Sequence, residues 1–184
     1  MNNGLIALRY ATALLDYSKT ASIQDRIYQE AKTVAQSITE VKALRTTLSN
    51  PVLAYAQKKE IILLAAGSKV SDQFNRFVDL LLVNKRELFL QTILLKFIDL
   101  YRKQNNIYAA KIVTAVEMDA STELKLTSLL KESTGGIIEV SKSIDSSILG
   151  GFLVEIDFNR WNASISAQLE KLRLDYIEIN KSIL

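Results

Sequence analysis

The apolar positions of the first hundred residues recur every three or four places, the spacing of one helical face. Ile6, Tyr10, Ala13, Leu14 and Tyr17 form the first stripe. Ile27, Ala31, Val34 and Ile38 form the second, with Ser22 as its expected N-cap. A short third helix through Val41, Leu44 and Leu48 ends at Asn50-Pro51, because a residue before proline is pushed out of the helical region. A fourth, from about Leu53 to Ala66, carries Ile61, Leu64 and Ala65, and Gly67 suits its C-terminal cap. Ser71-Asp72 opens a fifth through Phe74, Phe77, Val78, Leu81 and Leu82, which stops at the polar Asn84-Lys85-Arg86. A sixth holds Leu88, Leu94, Leu95, Ile98 and Tyr101 and runs to about Gln104. Short helices with brief connections predict a compact bundle.

The period changes at Asn105-Asn106. From Ile107 to Met118 the residues are small or β-branched, with Ile112, Thr114 and Val116 on one side and Val113 and Ala115 on the other, as in a strand. A helix follows, with Ser121 as its expected cap, Leu124, Leu126, Leu129 and Leu130 as its apolar positions, and Gly135-Gly136 at its end. Ile137 to Ile144 reads as a second strand. Gly151 to Phe158 reads as a third, Phe152, Val154, Ile156 and Phe158 alternating against Leu153, Glu155 and Asp157. A last helix carries Ile165, Leu169, Leu172, Tyr176 and Ile179 on one stripe. The expected architecture is mainly α with a small α+β part: a six-helix bundle over residues 1–105, then a β-α-β-β-α domain over 106–184. A domain of about 80 residues buries too little of its own surface to cover every apolar stripe. Much of the last helix is therefore expected to pack on a neighbour or partner.

Charge sharpens this division. The 184-residue chain has a net charge of +3. Its first 105 residues hold fifteen Lys/Arg against nine Asp/Glu, and the remainder eight against eleven. A basic unit is thus followed by an acidic one, the excess too diffuse for a nucleic-acid footprint, which gathers Lys/Arg on one face. Apolar residues make up 48% and charged residues 23%, a globular composition. Met1-Asn-Asn-Gly-Leu lacks a basic start and a long apolar run, so no secretory signal is expected, and the most apolar region, Phe77 to Tyr101, is interrupted by Asp79, Asn84, Lys85, Arg86, Glu87 and Lys96, so no span is expected. The chain should be soluble and intracellular.

Candidate chemistry is sparse. There is no cysteine and no histidine. That removes disulfides, thiolate sites and Ser-His or Cys-His pairs, and leaves zinc without its favoured ligands. The glycines at 4, 67, 135, 136, 150 and 151 fit no phosphate loop, and Gly67-Ser68-Lys69 lacks the upstream glycine. Glu155 and Asp157 share a strand face but read as a solvated one, as do Lys58-Lys59-Glu60 and Asn84-Lys85-Arg86. The expectation is no catalytic residue, no metal and no cofactor.

Two features remain. The stripe Tyr10, Ala13, Leu14, Tyr17 reads either as core or as one wall of a shallow groove. The first and fifth helices are both amphipathic and rich in aromatics, and such a pair can accept a third amphipathic helix. The second feature is Gly150-Gly151 entering a strand, which marks a bulge, a sharp bend or close backbone approach.

The segment from Ile144 to Ile156, Ile-Asp-Ser-Ser-Ile-Leu-Gly-Gly-Phe-Leu-Val-Glu-Ile, resembles the C-terminal signature of the delta subunits of F-type ATP synthases, the family of the mitochondrial oligomycin-sensitivity-conferring protein. Arg9-Tyr10-Ala11-Thr12-Ala13-Leu14 resembles its R-Y-A-x-A-L start. Phe77 to Arg86 is similar to its F-L-x-L-L-x-x-N-x-R run, and Ala163 to Leu172 to its closing D-G-S-x-x-x-x-L-x-x-L. The chain departs at Asn162-Ala163, where the family often has Asp-Gly, and at Asp157, where a smaller residue is common.

The resemblance implies a non-catalytic stator subunit of the proton-translocating complex, holding the catalytic head still while the rotor turns. The N-terminal domain would hold N-terminal helices of the alpha subunits at Tyr10, Ala13, Leu14 and Tyr17 with Phe77, Leu80, Leu81 and Asn84. The C-terminal domain would meet the b subunits, with Leu169, Leu172, Tyr176 and Ile179 as candidate contacts, and Gly150, Gly151 and Phe152 as the signature strand. One copy per complex is implied, peripheral at the cytoplasmic face of a bacterial plasma membrane, with no nucleic acid bound. The alternative reading, drawn from the basic first half, is a small helical nucleic-acid-binding or transcription-associated module.

Overall fold

The computed structural model describes the backbone of residues 3–67, 70–157 and 159–183, and side chains over 4–67, 70–157 and 159–177. The chain divides into two compact units, Met1–Gln104 and Asn105–Leu184.

The first unit holds α1 (Asn3–Thr20), α2 (Gln24–Glu40), α3 (Lys42–Ser49), α4 (Tyr55–Ala66), α5 (Asp72–Val83), a 3-10 turn (Glu87–Phe89) and α6 (Leu90–Gln104). α6 is central, packing on both α1 and α2, while α4 bridges α2 and α5. Leu90, Ile93, Leu94 and Phe97 of α6 are buried, as are Ala7, Ala11 and Leu14 of α1 and Ile27 and Val34 of α2. The rings of Tyr28 and Tyr101 stack at 4.3 Å, and Arg102 donates to the Tyr28 hydroxyl at 2.9 Å.

Polar ties fix the helices that apolar contact alone would let slide. Glu30 is buried on α2, and its carboxylate accepts the Ser71 backbone N–H at 2.7 Å and the Ser71 hydroxyl at 2.6 Å. Ser71 in turn caps α5 by accepting from the Phe74 N–H. A carboxylate there also opposes the positive end of the α5 dipole. On the other side of α5, Asp79 accepts from Lys59 and from Tyr55 of α4 at 2.5 Å. Those two bonds, Lys59 first, hold its carboxyl below the usual range.

Ser22 does not cap α2. It stands at φ +53° and ends α1 instead, with its N–H bonded to the Lys19 carbonyl and the Ile23 N–H to the Ser18 carbonyl. That 5→2 and 6→1 pair is a Schellman closure in which Ser22 takes the left-handed position glycine usually fills. Lys85 closes α5 the same way, bonded to Leu82 while Arg86 reaches back to Leu81.

The second unit holds β1 (Ile107–Thr114), α7 (Ala120–Thr134), β2 (Ile137–Ile144), a 3-10 turn (Ser146–Ile148), β3 (Phe152–Ile156), β4 (Asn159–Asn162) and α8 (Ile165–Ile183). Its sheet runs β2-β1-β3-β4, with β1 and β2 parallel across the α7 connection and the other pairs antiparallel. The β1–β3 register sets Ala110 opposite Ile156 and Ile112 opposite Val154. These four form the core with Leu130 of α7.

β4 is an addition to the expected β-α-β-β-α order. All four of its residues are exposed, so no face imposes an alternation, and Asn-Arg-Trp-Asn carries no strand signal. Asp157, at φ +50°, turns the chain between the paired Ile156 and Asn159. The third strand is shorter than expected, and Phe158, placed in it from the sequence, lies outside the described residues. The α7 cap is Asp119 rather than Ser121. Asp119 accepts from the Thr122 N–H at 3.2 Å, and Ser121 donates its hydroxyl to the same carboxylate.

Candidate docking site

α1 shows two faces. Ala7, Ala11, Leu14, Leu15 and Ser18 are buried, while Ala13 and Tyr17 are exposed and Tyr10 half-buried. α5 turns Phe74, Phe77, Val78 and Leu81 inward and leaves Leu80 half exposed. Between the two helices Tyr10, Ala13, Leu14, Tyr17, Arg76, Phe77 and Leu80 line a groove of about 340 Å³. Leu14 and Phe77 are its floor, each 6% exposed or less. Tyr10, Tyr17 and Leu80 are its walls. The small side chain of Ala13 leaves the width open.

Two residues expected here lie elsewhere. Leu81 is only 1% exposed and belongs to the core, one position round the helix from Leu80. Asn84 is exposed but does not line the groove. It caps α5, its side-chain amide donating to the Leu80 carbonyl at 2.7 Å. Arg76 was missed. Its signal was available, since it precedes Leu80 by four residues and so shares that helical face.

In the second unit the Gly-Gly segment is a backbone crossing. Gly151 sits at φ +75°, and a Cβ there would lie 2.2 Å from the Ala163 carbonyl oxygen. A Cβ on Gly150 would meet the Ile165 side chain at 2.6 Å. The Ile165 N–H bonds the Gly150 carbonyl at 3.0 Å, and the Ala163 N–H bonds that of Phe152 at 2.9 Å. The segment therefore seats the start of α8 beside β3. Beyond that point α8 is uncovered: Leu169, Leu172, Leu174 and Tyr176 are each more than half exposed. The side chain of Ile179, assigned to the same stripe, lies outside the described residues. A second apolar groove of about 470 Å³, bordered by Val116, Met118, Leu126, Leu129 and Phe152, had no counterpart in the sequence reading. Val116 and Met118 follow β1 where the spacing predicts that the strand continues; Val116 is exposed and Met118 packs partly against the core.

Among the described residues no cluster of acidic side chains could hold a metal ion, and no helix is long and apolar enough to cross a membrane. The carboxylates with lowered pKa are structural. Glu87 feels burial, which raises its pKa, and is brought below the ordinary value by its bond from Lys58 at 2.7 Å. Asp119 and Asp145 are held down by the turns they cap.

Large apolar surfaces exposed on both units define a class, a subunit shaped to be covered by others. The chain belongs to the ATP synthase delta (OSCP) subunit family, of the peripheral stalk of F-type ATP synthases, whose model matches residues 6–175. It is 39% identical to the ATP synthase subunit delta of Phocaeicola vulgatus, over 98% of each chain. It is 36% identical to that of Bacteroides fragilis, over the full length of both. The fold matches a chain of the mitochondrial ATP synthase hexamer of Toxoplasma gondii with a TM-score of 0.70, at 18% identity, covering 93% of this chain and 97% of that one. Family membership leaves the nucleic-acid alternative without support.

Proposed function

We propose that the chain is a non-catalytic stator subunit, one copy per complex, that couples the catalytic head to the peripheral stalk at the cytoplasmic face of a bacterial membrane. The unit over 1–105 docks on the head and receives an N-terminal helix of an alpha subunit between α1 and α5. The unit over 106–184 meets the b subunits through the uncovered stripe Leu169, Leu172 and Tyr176, which Ile179 extends in sequence.

The observation that carries this reading is the groove itself. Tyr10 to Tyr17 spans two helical turns, about 10 Å at the usual rise. That suits a partner helix presenting apolar anchors at i, i+3 or i+4, and i+7. Aromatic walls supply rigid contact area, and the small Ala13 admits a close approach.

The test titrates the full chain with a synthetic peptide of the alpha-subunit N-terminus. Ala13→Trp fills the groove from an exposed position, so affinity should fall at least ~10-fold, a loss typical of a truncated or blocked anchor. The unfolding midpoint should not move. Unchanged affinity overturns the assignment.

A further inference from the structure

The α1/α5 groove has an uneven rim. Its lining is almost wholly apolar, and Arg76 is the one charged residue among the described residues that line it, beside Tyr10 and Tyr17. Among the described residues no carboxylate lines it. Arg76 is exposed and makes no ion pair or side-chain hydrogen bond among the described residues. The two acidic residues nearest to it on α5 leave it free. Asp72, one turn earlier, forms no pair with it, and Asp79, three residues on, is taken up by Lys59 and Tyr55. Neither tyrosine hydroxyl has a partner among the described residues.

An arginine left unpaired beside an apolar floor is a fixed demand on whatever covers it. Its planar fork matches a carboxylate in a bidentate fashion, and it is dehydrated more cheaply than an ammonium. A covering helix that brought only apolar or basic side chains would strand this charge, at a cost that lowers affinity. Charge complementarity therefore selects the occupant.

We propose that Arg76 is the specificity-determining residue of the groove, and that the helix it accepts is amphipathic with an Asp or Glu flanking its apolar stripe at the level of Arg76. This rests on the reading of the groove as the alpha-helix site and adds the chemistry that site requires of its ligand. Apolar anchors in the groove supply attraction, and the arginine supplies register. A helix displaced by one turn sets its carboxylate about 5 Å from the guanidinium and loses the pair.

The experiment uses the full chain, the alpha-subunit N-terminal peptide, and a copy of that peptide with each Asp and Glu changed to Asn and Gln. Arg76→Glu should weaken the acidic peptide by about tenfold or more, as for a close charge pair across an interface, and should leave the neutralised peptide within about twofold. Arg76→Ala should remove most of the ionic-strength dependence of binding. Ala13→Trp should weaken both peptides equally. Wild-type-like affinity of Arg76→Glu for the acidic peptide, with binding still lost in Ala13→Trp, overturns the role of Arg76 and leaves the groove assignment standing. Failure of the unmodified chain to bind either peptide overturns both. Arg76 is exposed, so its variants should keep the parent unfolding midpoint.

Discussion

The two units solve the same problem with different means. In the first, large side chains such as Phe74, Phe97, Leu14 and Ile27 are fully buried around α6, and the groove between α1 and α5 shares its floor with that core. In the second, the buried cluster shared by the sheet and α7 is five of the described residues, two of them no larger than valine, and α8 extends onward with Leu169, Leu172 and Tyr176 exposed. Where a site borrows core residues, its shape is as stiff as the core. Where it is a stripe of exposed side chains, those residues can be changed at little cost to the fold. Binding should thus be coupled to stability at the floor of the first unit's groove, though not at its exposed rim, and be separable from stability along the stripe of the second.

The hardest blow to that contrast is a core truncation. Phe97→Ala should cost about 3–5 kcal/mol, the usual range for a fully buried aromatic, and should weaken alpha-peptide binding in parallel. Thermal unfolding beside peptide titration checks it, and intact binding in a destabilised variant would break the coupling. Next in size is Gly151→Ala, which combines a left-handed backbone with an overlap against a carbonyl. A loss of at least ~2 kcal/mol in the second unit is expected, against roughly 1 kcal/mol for Gly135→Ala, which has the same kind of φ but open space around it. Denaturant midpoints of the two variants measure the difference.

Smaller still is the loss from Ser71→Ala. It removes an N-cap and one bond to the buried Glu30, so about 1–2 kcal/mol should go. The pH dependence of the α7 start is a finer probe. Bonds from Ser121 first, then from Thr122, hold Asp119 at about 2 against an ordinary 3.8. Its folded pKa lies below its unfolded one, so between the two the unfolded chain binds more protons. The contribution is complete above 3.8 and is lost as pH falls through about 2. Asp119→Asn should flatten the acid limb of unit-two stability in that window and leave neutral pH little changed. The smallest effect on the fold is at Leu172→Ser, expected within about 0.5 kcal/mol of the parent because the side chain is exposed. Binding of b-subunit fragments should nevertheless weaken, and a marked stability loss would remove the separation between the units.

Much of this was legible in advance because the helical stripes are long and strongly periodic. α1, α2, α5 and α6 follow from spacing alone, and the change of period near Asn105 separates the bundle from the sheet. What escaped was whatever lacked an apolar pattern. β4 faces solvent on every residue. The Schellman turns at Ser22 and Lys85 put ordinary side chains where glycine is the signal. For the groove, periodicity named the right helices but not the phase within them. Leu80 and Leu81 are adjacent leucines, and only the packing of α5 decides that one is wall and the other core. Arg76 carried a usable spacing, but a charged residue in a helix reads first as solvated surface.

The neighbouring glycines 150 and 151 have unequal histories open to them. At Gly150 the obstacle is the tip of one side chain, so shortening Ile165 to valine could admit alanine, and a lineage could take the two changes in sequence. At Gly151 the obstacle is the carbonyl of Ala163, which every residue carries, so no substitution elsewhere removes it. One position can drift in company with its neighbour, and the other is fixed for as long as the chain crosses itself there.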